Sequence, residues 1–133
     1  MTRSVTQAEL WERVHASFEW HRKAAREPDT QTTLNRIAAK CIAKRADATA
    51  TRSFDASNCV VREERLSVDE LRELERYHDR AVPARDVEPI VVLAYQGRNI
   101  VIEGNTRVNK WCAEGGSKLR SAIFVEPKEK PTP

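Results

Sequence analysis

The sequence predicts an α/β protein of the α+β type, with a helical hairpin followed by a small mixed sheet. Apolar residues recur every three to four positions in the N-terminal third, which is typical of amphipathic helices. Short apolar runs bounded by turn residues dominate from residue 58 onward, in the order β-α-β-β-α-β. The chain is therefore interpreted as a hairpin at 1–50, a sheet domain at 58–126 and a flexible tail at 127–133.

Two apolar stripes define the hairpin. The first consists of residues four apart, Leu10, Val14 and Phe18. The second consists of Leu34, Ile37, Ala38, Cys41 and Ile42. They predict helices over 6–26 and 31–46, the first capped by Thr6 and the second by Asp29 or Thr30. Trp20 is less clearly part of the first stripe and is a candidate partner contact.

The sheet domain begins after a small, polar stretch at 47–57, which is interpreted as a linker. Cys59-Val60-Val61 predicts a short strand. Ser67 and Glu70 have the spacing of a capping box and predict a helix over 67–78. The remaining elements are expected as strands at 89–95, 99–103 and 119–125 and a helix at 105–114.

The sequence predicts a cytoplasmic protein, from its lack of long apolar segments and from the placement of its cysteines. No apolar run approaches the ~20 residues that span a membrane, and the N-terminus lacks the apolar core of a signal peptide. Cys41, Cys59 and Cys112 are scattered, which fits a reducing compartment. Cys59 would be reactive only if it were exposed.

Charge is unevenly distributed along the chain. Residues 1–52 carry 10 basic and 6 acidic side chains, so the net positive charge of this segment exceeds the +3 of the whole chain. The basic hairpin leaves open a nucleic-acid or protein partner, or a homodimer, although an ordinary solvated helix pair would look the same. His15 and His21 are six residues apart and are not expected on one helix face, and His78 is expected to stabilise a helix end.

The sequence around residue 104 predicts an anion site. A strand ends at a glycine and passes directly into a helix, whose first amides point outward with the positive end of the helix dipole. Gly104, Asn105, Thr106 and Arg107 are the candidate nucleotide- or phosphate-binding residues, with Arg107 as the phosphate clamp. The alternative is structural: Gly104 serves the turn, Asn105 caps the helix and Arg107 is solvated.

Residues 58–126 resemble the ParB/sulfiredoxin-like domain. The resemblance is carried by Pro89-Ile90-Val91-Val92, by Ile102-Glu103-Gly104-Asn105-Thr106-Arg107 and by the helix that ends at Gly115. It implies a mixed sheet of that type and a nucleotide pocket at the Gly-x-x-Arg turn, with a nucleoside triphosphate and Mg²⁺ as ligands. It also implies that the region of Glu63 and Glu64 borders the pocket, although a solvated loop is the alternative for these residues.

Departures from the family narrow the function. Asn105 and Thr106 stand where sulfiredoxins carry a cysteine, which disfavours sulfinic-acid repair. A helix-turn-helix segment, as in chromosome-partition proteins, is not expected before Pro133. The sequence favours a ParB-like protein that binds, and hydrolyses or transfers, a nucleotide phosphate. A non-catalytic nucleic-acid- or protein-binding module with a degenerate pocket, and a toxin-type ADP-ribosyltransferase, are the alternatives.

Glu103 is the candidate catalytic residue. A carboxylate beside the phosphate turn could act as a general base or position a phosphate-bound Mg²⁺. Its alternative role is to pair with Arg107 and nothing more.

Overall fold

A computed structural model describes residues 5–45, 55–76 and 85–128. Four helices and four strands occur in these ranges, together with a 3₁₀ turn at Ala56–Asn58. The helices are α1 (Gln7–Ala24), α2 (Thr30–Arg45), α3 (Val68–Arg72) and α4 (Asn105–Glu114). The strands are β1 (Cys59–Leu66), β2 (Ile90–Tyr95), β3 (Arg98–Glu103) and β4 (Arg120–Pro127).

The four strands form one mixed sheet in the order β1-β4-β2-β3. β1 pairs antiparallel with β4, β2 pairs antiparallel with β3, and β2 runs parallel to β4. The connection between the parallel strands β2 and β4 passes through β3 and α4, because a return in the same direction requires a crossover. The predicted α+β class, with a mixed sheet and an N-terminal helical hairpin, is confirmed.

Helices cover both faces of the sheet. One hydrophobic cluster joins the apolar stripes of α1 and α2 to alternate residues of the strands, including Val61, Val91 and Ile123. The other joins α3 and α4 to the opposite residues of the same strands, including Val92, Val101 and Phe124. The hairpin and the sheet segment therefore share a core, since the strand side chains alternate between the two faces.

The helix starts follow the predicted capping chemistry. Thr6 Oγ1 accepts the amide of Glu9 at 3.2 Å, and Asp29 Oδ1 accepts the amide of Thr32 at 2.7 Å. Ser67 forms a complete capping box with Glu70. These bonds satisfy donors that the first turn of a helix leaves open, which explains why α1, α2 and α3 begin where the sequence predicts.

Two predicted boundaries are wrong. The helix predicted over 67–78 ends at Arg72, because the backbone of Glu75 joins the sheet: Glu75 N donates to Asn99 O at 2.9 Å and Val101 N donates to Glu75 O at 2.8 Å. β1 continues from Val61 to Leu66, so the region of Glu63 and Glu64 is a strand and not a loop.

The predicted linker and tail lie largely outside the described residues. Ala56 and Ser57, at the end of the predicted linker, belong to the 3₁₀ turn. At the other end, β4 extends two residues past the predicted strand end, to Pro127, the first residue of the predicted tail.

Gln7 occupies the outer edge of β1. Its side-chain amide accepts the N–H of Val61 through Oε1 at 3.0 Å and donates to the carbonyl of the same residue. An outer strand presents backbone donors and acceptors on its free side, and here one donor and one acceptor are satisfied by the first residue of α1.

Candidate functional site

A groove of about 1010 Å³ lies between α1, the end of the sheet and the start of α4. The predicted site residues Glu103, Gly104, Asn105, Thr106 and Arg107 all line it. Its volume matches that of pockets that hold cofactor-sized ligands, roughly 300–1,000 Å³. The structure thus places the sequence-predicted turn on the wall of a groove large enough for a ligand of that size.

One wall of the groove is a face of α1. Leu10, Val14 and Phe18 are buried against the sheet, whereas the adjoining face turns toward the groove. The groove-facing residues of this helix are Arg13, Ala16, Ser17, Trp20 and His21. Their spacing of three and four residues puts them on one side of the helix. His21 therefore belongs to the groove, whereas His15 lines a separate hollow with Trp11.

The turn from β3 into α4 is built around Gly104. This residue is the N-cap of α4 and has φ 104° and ψ 22°, in the left-handed region. A Cβ at this position would lie 2.7 Å from Cγ2 of Ile90. Glycine is required here both by backbone conformation and by space, which is the structural role that the sequence left open for Gly104.

Asn105 is not the cap of α4. It is the first residue of the helix, and its side chain donates to Val101 O at 3.2 Å. The first amide bonded within the helix is that of Val108, which donates to Gly104 O at 2.9 Å. The helix itself thus offers no carbonyl to the amides of Thr106 and Arg107, at the positive end of the dipole.

Arg107 is held by several protein groups. Its Nη2 donates to Glu103 Oε2 in an ion pair, and its Nη1 donates to the carbonyls of Val87 and Pro89. The side chains of Arg107 and Glu103 are 14% and 17% exposed. The guanidinium therefore positions the turn and is not a solvated side chain, and the pairing with Glu103 that the sequence left open does occur.

His21 lies on the other side of Glu103. Its Nε2 is 3.9 Å from Glu103 Oε1, while Glu103 Oε2 is occupied by Arg107. The carboxylate thus lies between a guanidinium and an imidazole that come from different parts of the chain. Sequence reasoning did not identify His21 as a site residue, because its distance from the turn is fixed only by the packing of α1 on the sheet.

The floor of the groove is polar where the sheet core ends. Glu63 Oε2 accepts from Arg13 Nη1 at 2.6 Å and from Ser121 Oγ at 2.9 Å. Glu63 lies two residues after Val61 on β1, and Ser121 lies two residues before Ile123 on β4. Each therefore shares a face of the sheet with a buried core residue. Glu63 lines the groove, whereas Glu64 does not.

The segment at 85–89 also lines the groove, through Arg85, Val87, Glu88 and Pro89. Asp86 Oδ1 accepts from Trp111 Nε1 at 3.0 Å and from Arg120 Nη1 at 2.5 Å, and Glu88 accepts the amide of Ser121. Burial alone would raise the pKa of Asp86, but the Trp111 hydrogen bond and the nearby positive charges outweigh it and lower that pKa below its ordinary value. The segment is fixed to α4 and β4.

Cys59 is not a candidate nucleophile. It is buried, its thiol donates to Asp55 O at 3.4 Å, and burial raises its pKa to about 11. At neutral pH the reactive thiolate is therefore scarcer than in an ordinary cysteine. The predicted apolar setting of Cys41 is also observed, since it is buried between α1, α2 and the sheet.

Within residues 5–45, 55–76 and 85–128, no group of three or more His, Cys, Asp or Glu side chains could hold a metal ion. In the same ranges, no helix combines the length and apolar character required to cross a bilayer. His78 lies outside the described residues.

The fold and the groove together define a small α+β domain with a helix-walled cleft. Comparison of the chain with protein-family models, curated proteins and solved structures finds no match.

Proposed function

We propose that the protein binds a nucleotide through its phosphates at the turn from β3 into α4, as a ParB-like domain would. The observation that carries the proposal is the opening of α4 into the groove at Gly104. The positive end of the helix dipole lies at that point, and the guanidinium of Arg107 lies beside it, ion-paired with Glu103. An anion is the ligand that this electrostatic arrangement stabilises.

Arg107 has two roles in this proposal. In the protein alone it holds Glu103 and the carbonyls of residues 87 and 89. A phosphate at the start of α4 would lie beside the same guanidinium, which keeps its charge at any relevant pH. The amides of Thr106 and Arg107 and the Thr106 hydroxyl would supply donors, so the site does not depend on the guanidinium alone.

The proposed Mg²⁺ would enter with the nucleotide. Mg²⁺ in nucleotide sites is held largely by phosphates and water, with one or two protein carboxylates. The described residues offer no preformed metal cluster, and the groove carboxylates Glu63, Glu88 and Glu103 already accept hydrogen bonds from protein groups. No protein ligand to the metal is therefore assigned.

Local ion pairs offset part of the positive charge that polyanion binding by the hairpin would use. Arg22 and Lys23 pair with Glu19, and Arg36 pairs with Glu27. Positive charge that is locally matched by carboxylates contributes little to the field that attracts a nucleic acid.

The binding proposal predicts a nucleotide-dependent rise in the thermal unfolding midpoint. Ligands that bind the native state stabilise it by mass action, and ATP, CTP, GTP, UTP and NAD with and without Mg²⁺ form a suitable panel. Arg107→Gln should weaken nucleotide binding by about 10- to 100-fold, the range for a lost charge-assisted hydrogen bond. The affinity of each variant should be measured by titration calorimetry. The ligand-induced shift in the unfolding midpoint should be taken relative to the midpoint of the same variant without ligand.

Arg72→Gln is the matched control. Arg72 also pairs with a carboxylate, that of Asp69, and donates to a carbonyl, that of Cys112, but it lies outside the groove. Its substitution should leave nucleotide affinity unchanged. A well-folded wild-type protein whose midpoint moves with none of the five ligands would overturn the proposal, and a response to NAD alone would support the transferase alternative.

Catalysis by Glu103 is a separate expectation. If Glu103 is the general base for hydrolysis or transfer, Glu103→Gln should spare binding and reduce phosphate release by about 100-fold or more. Glu114→Gln, at the exposed end of α4, provides the control. Turnover that survives in Glu103→Gln would restrict Glu103 to pairing with Arg107, and binding without turnover in the wild type would favour a non-catalytic module.

A further inference from the structure

Two large apolar side chains are exposed on the walls of the groove. Trp20 is 74% exposed on α1, and Val87 is 50% exposed on the 85–89 segment. Single exposed apolar residues are ordinary, but a tryptophan left largely in water beside a second exposed apolar residue in one concavity indicates a contact site. The groove therefore combines apolar walls with the anion-stabilising start of α4.

Trp20 is oriented by its neighbour and not by burial. The rings of Trp20 and His21 meet edge to face, with centroids 5.2 Å apart and an interplanar angle of 88°. His21 in turn lies against the ring of Phe18, a core residue, at 6.0 Å between centroids. This chain of ring contacts connects an exposed indole to the core, so Trp20 can present its surface to a ligand at a reduced entropic cost.

We propose that the indole of Trp20 is the stacking platform for the base of the nucleotide, while the phosphates lie at the start of α4. The inference rests on the proposed function and adds the substrate class: a nucleotide in which the aromatic ring contributes to binding, and not a simple phosphate or polyphosphate. An anion with a flat apolar ring matches both halves of the groove. A peptide carrying an apolar side chain would match only the Trp20 half.

The proposal gives the N-terminal hairpin a part in recognition. The phosphate half of the groove comes from the sheet segment and α4, whereas the base half comes from α1. Stacking on an aromatic ring tolerates every base, because each base presents a π face. ATP, CTP, GTP and UTP are therefore expected to bind with affinities that differ less from one another than from that of a ligand without a base.

The experiment compares each of the four nucleoside triphosphates with inorganic tripolyphosphate, all with Mg²⁺, by calorimetry. The wild type should bind the nucleotides about 10- to 100-fold more tightly than tripolyphosphate, the range that base–aromatic stacking supports. Trp20→Ala should remove this preference and leave tripolyphosphate affinity unchanged. Trp20→Phe should retain most of the preference, and the indole fluorescence of the wild type should change on nucleotide binding.

Leu119→Ala is the control, because Leu119 is also an exposed large apolar residue but does not line the groove. The platform assignment is wrong if the wild type binds tripolyphosphate and nucleotides equally, or if Trp20→Ala weakens both to the same degree. Those outcomes leave the phosphate site in place. Binding of neither ligand by the wild type would instead remove the proposed function together with this inference.

Discussion

Replacing Gly104 with alanine should destabilise the protein by about 2–5 kcal/mol, which combines the cost of a left-handed backbone for a residue with a side chain and the cost of overpacking. The new Cβ would lie 2.7 Å from Cγ2 of Ile90. Ile90 is the first residue of β2 and is fully buried. Relief would require a shift of the strand or of the turn. Urea unfolding at a fixed temperature measures the loss.

Gly97→Ala separates the two costs. Gly97 has φ 76° in the turn between β2 and β3, and a Cβ there would meet nothing within 4 Å. Its substitution should cost roughly 1–2 kcal/mol, the conformational part alone. Equal losses in the two variants would show that contact with Ile90 does not constrain the turn from β3 into α4, and the tight placement of this turn against β2 would then be refuted.

Truncation of Phe18 to alanine should cost about 3–5 kcal/mol of unfolding free energy, as expected for a buried aromatic side chain. Phe18 is fully buried in the cluster that joins α1 and α2 to one face of the sheet. The cavity would therefore open between the hairpin and the sheet and not within the hairpin. Chemical denaturation monitored by circular dichroism gives the change, and a single transition is expected for both proteins.

Trp20→Ala is the comparison for this variant. It removes a larger side chain two residues away on the same helix, but one that is 74% exposed, so stability should change by no more than about 0.5 kcal/mol. Two separate unfolding transitions in Phe18→Ala would indicate that the hairpin detaches on its own. A loss below that of Trp20→Ala would contradict the shared core.

The parts of the fold that the sequence predicts well are those set by local chemistry. α1 and α2 follow from apolar stripes and from the side-chain caps Thr6 and Asp29, each within a few residues of the bonded groups. The hairpin of β2 and β3 follows from an apolar run, a glycine turn and a second run. In each case the interactions that fix the element lie within the segment itself.

The errors arise where distant residues decide the structure. Leu71 and Leu74 continue a helical spacing, yet the helix ends because Glu75 gains backbone partners on β3. β1 extends through Arg62–Arg65, whose side chains are exposed and give no apolar alternation, because pairing with β4 fixes these residues as strand. In both cases the partner strand lies far along the chain, so the local sequence does not specify the pairing.

The candidate site also has one part that the local sequence predicts and one part that depends on tertiary packing. The turn at Gly104 could be located from the sequence, since a strand, a glycine and a helix start are consecutive. The face of α1 that completes the groove could be found as a helical face from the spacing of Arg13, Ser17, Trp20 and His21, but the sequence does not show what that face opposes. The distance between His21 and Glu103 is a result of tertiary packing.

The contact of Gln7 with the free side of β1 also affects whether another chain can add a strand to the sheet at this position. A strand added to this edge, from a partner or from a growing cross-β aggregate, would need the backbone groups of Val61 that the glutamine amide already engages. Strand addition at the position of Val61 would require the side chain of Gln7, in the first turn of α1, to move away. The helix that walls the groove thus also covers one position of the sheet edge, and loosening its first turn would free the backbone N–H and carbonyl of Val61 for another strand.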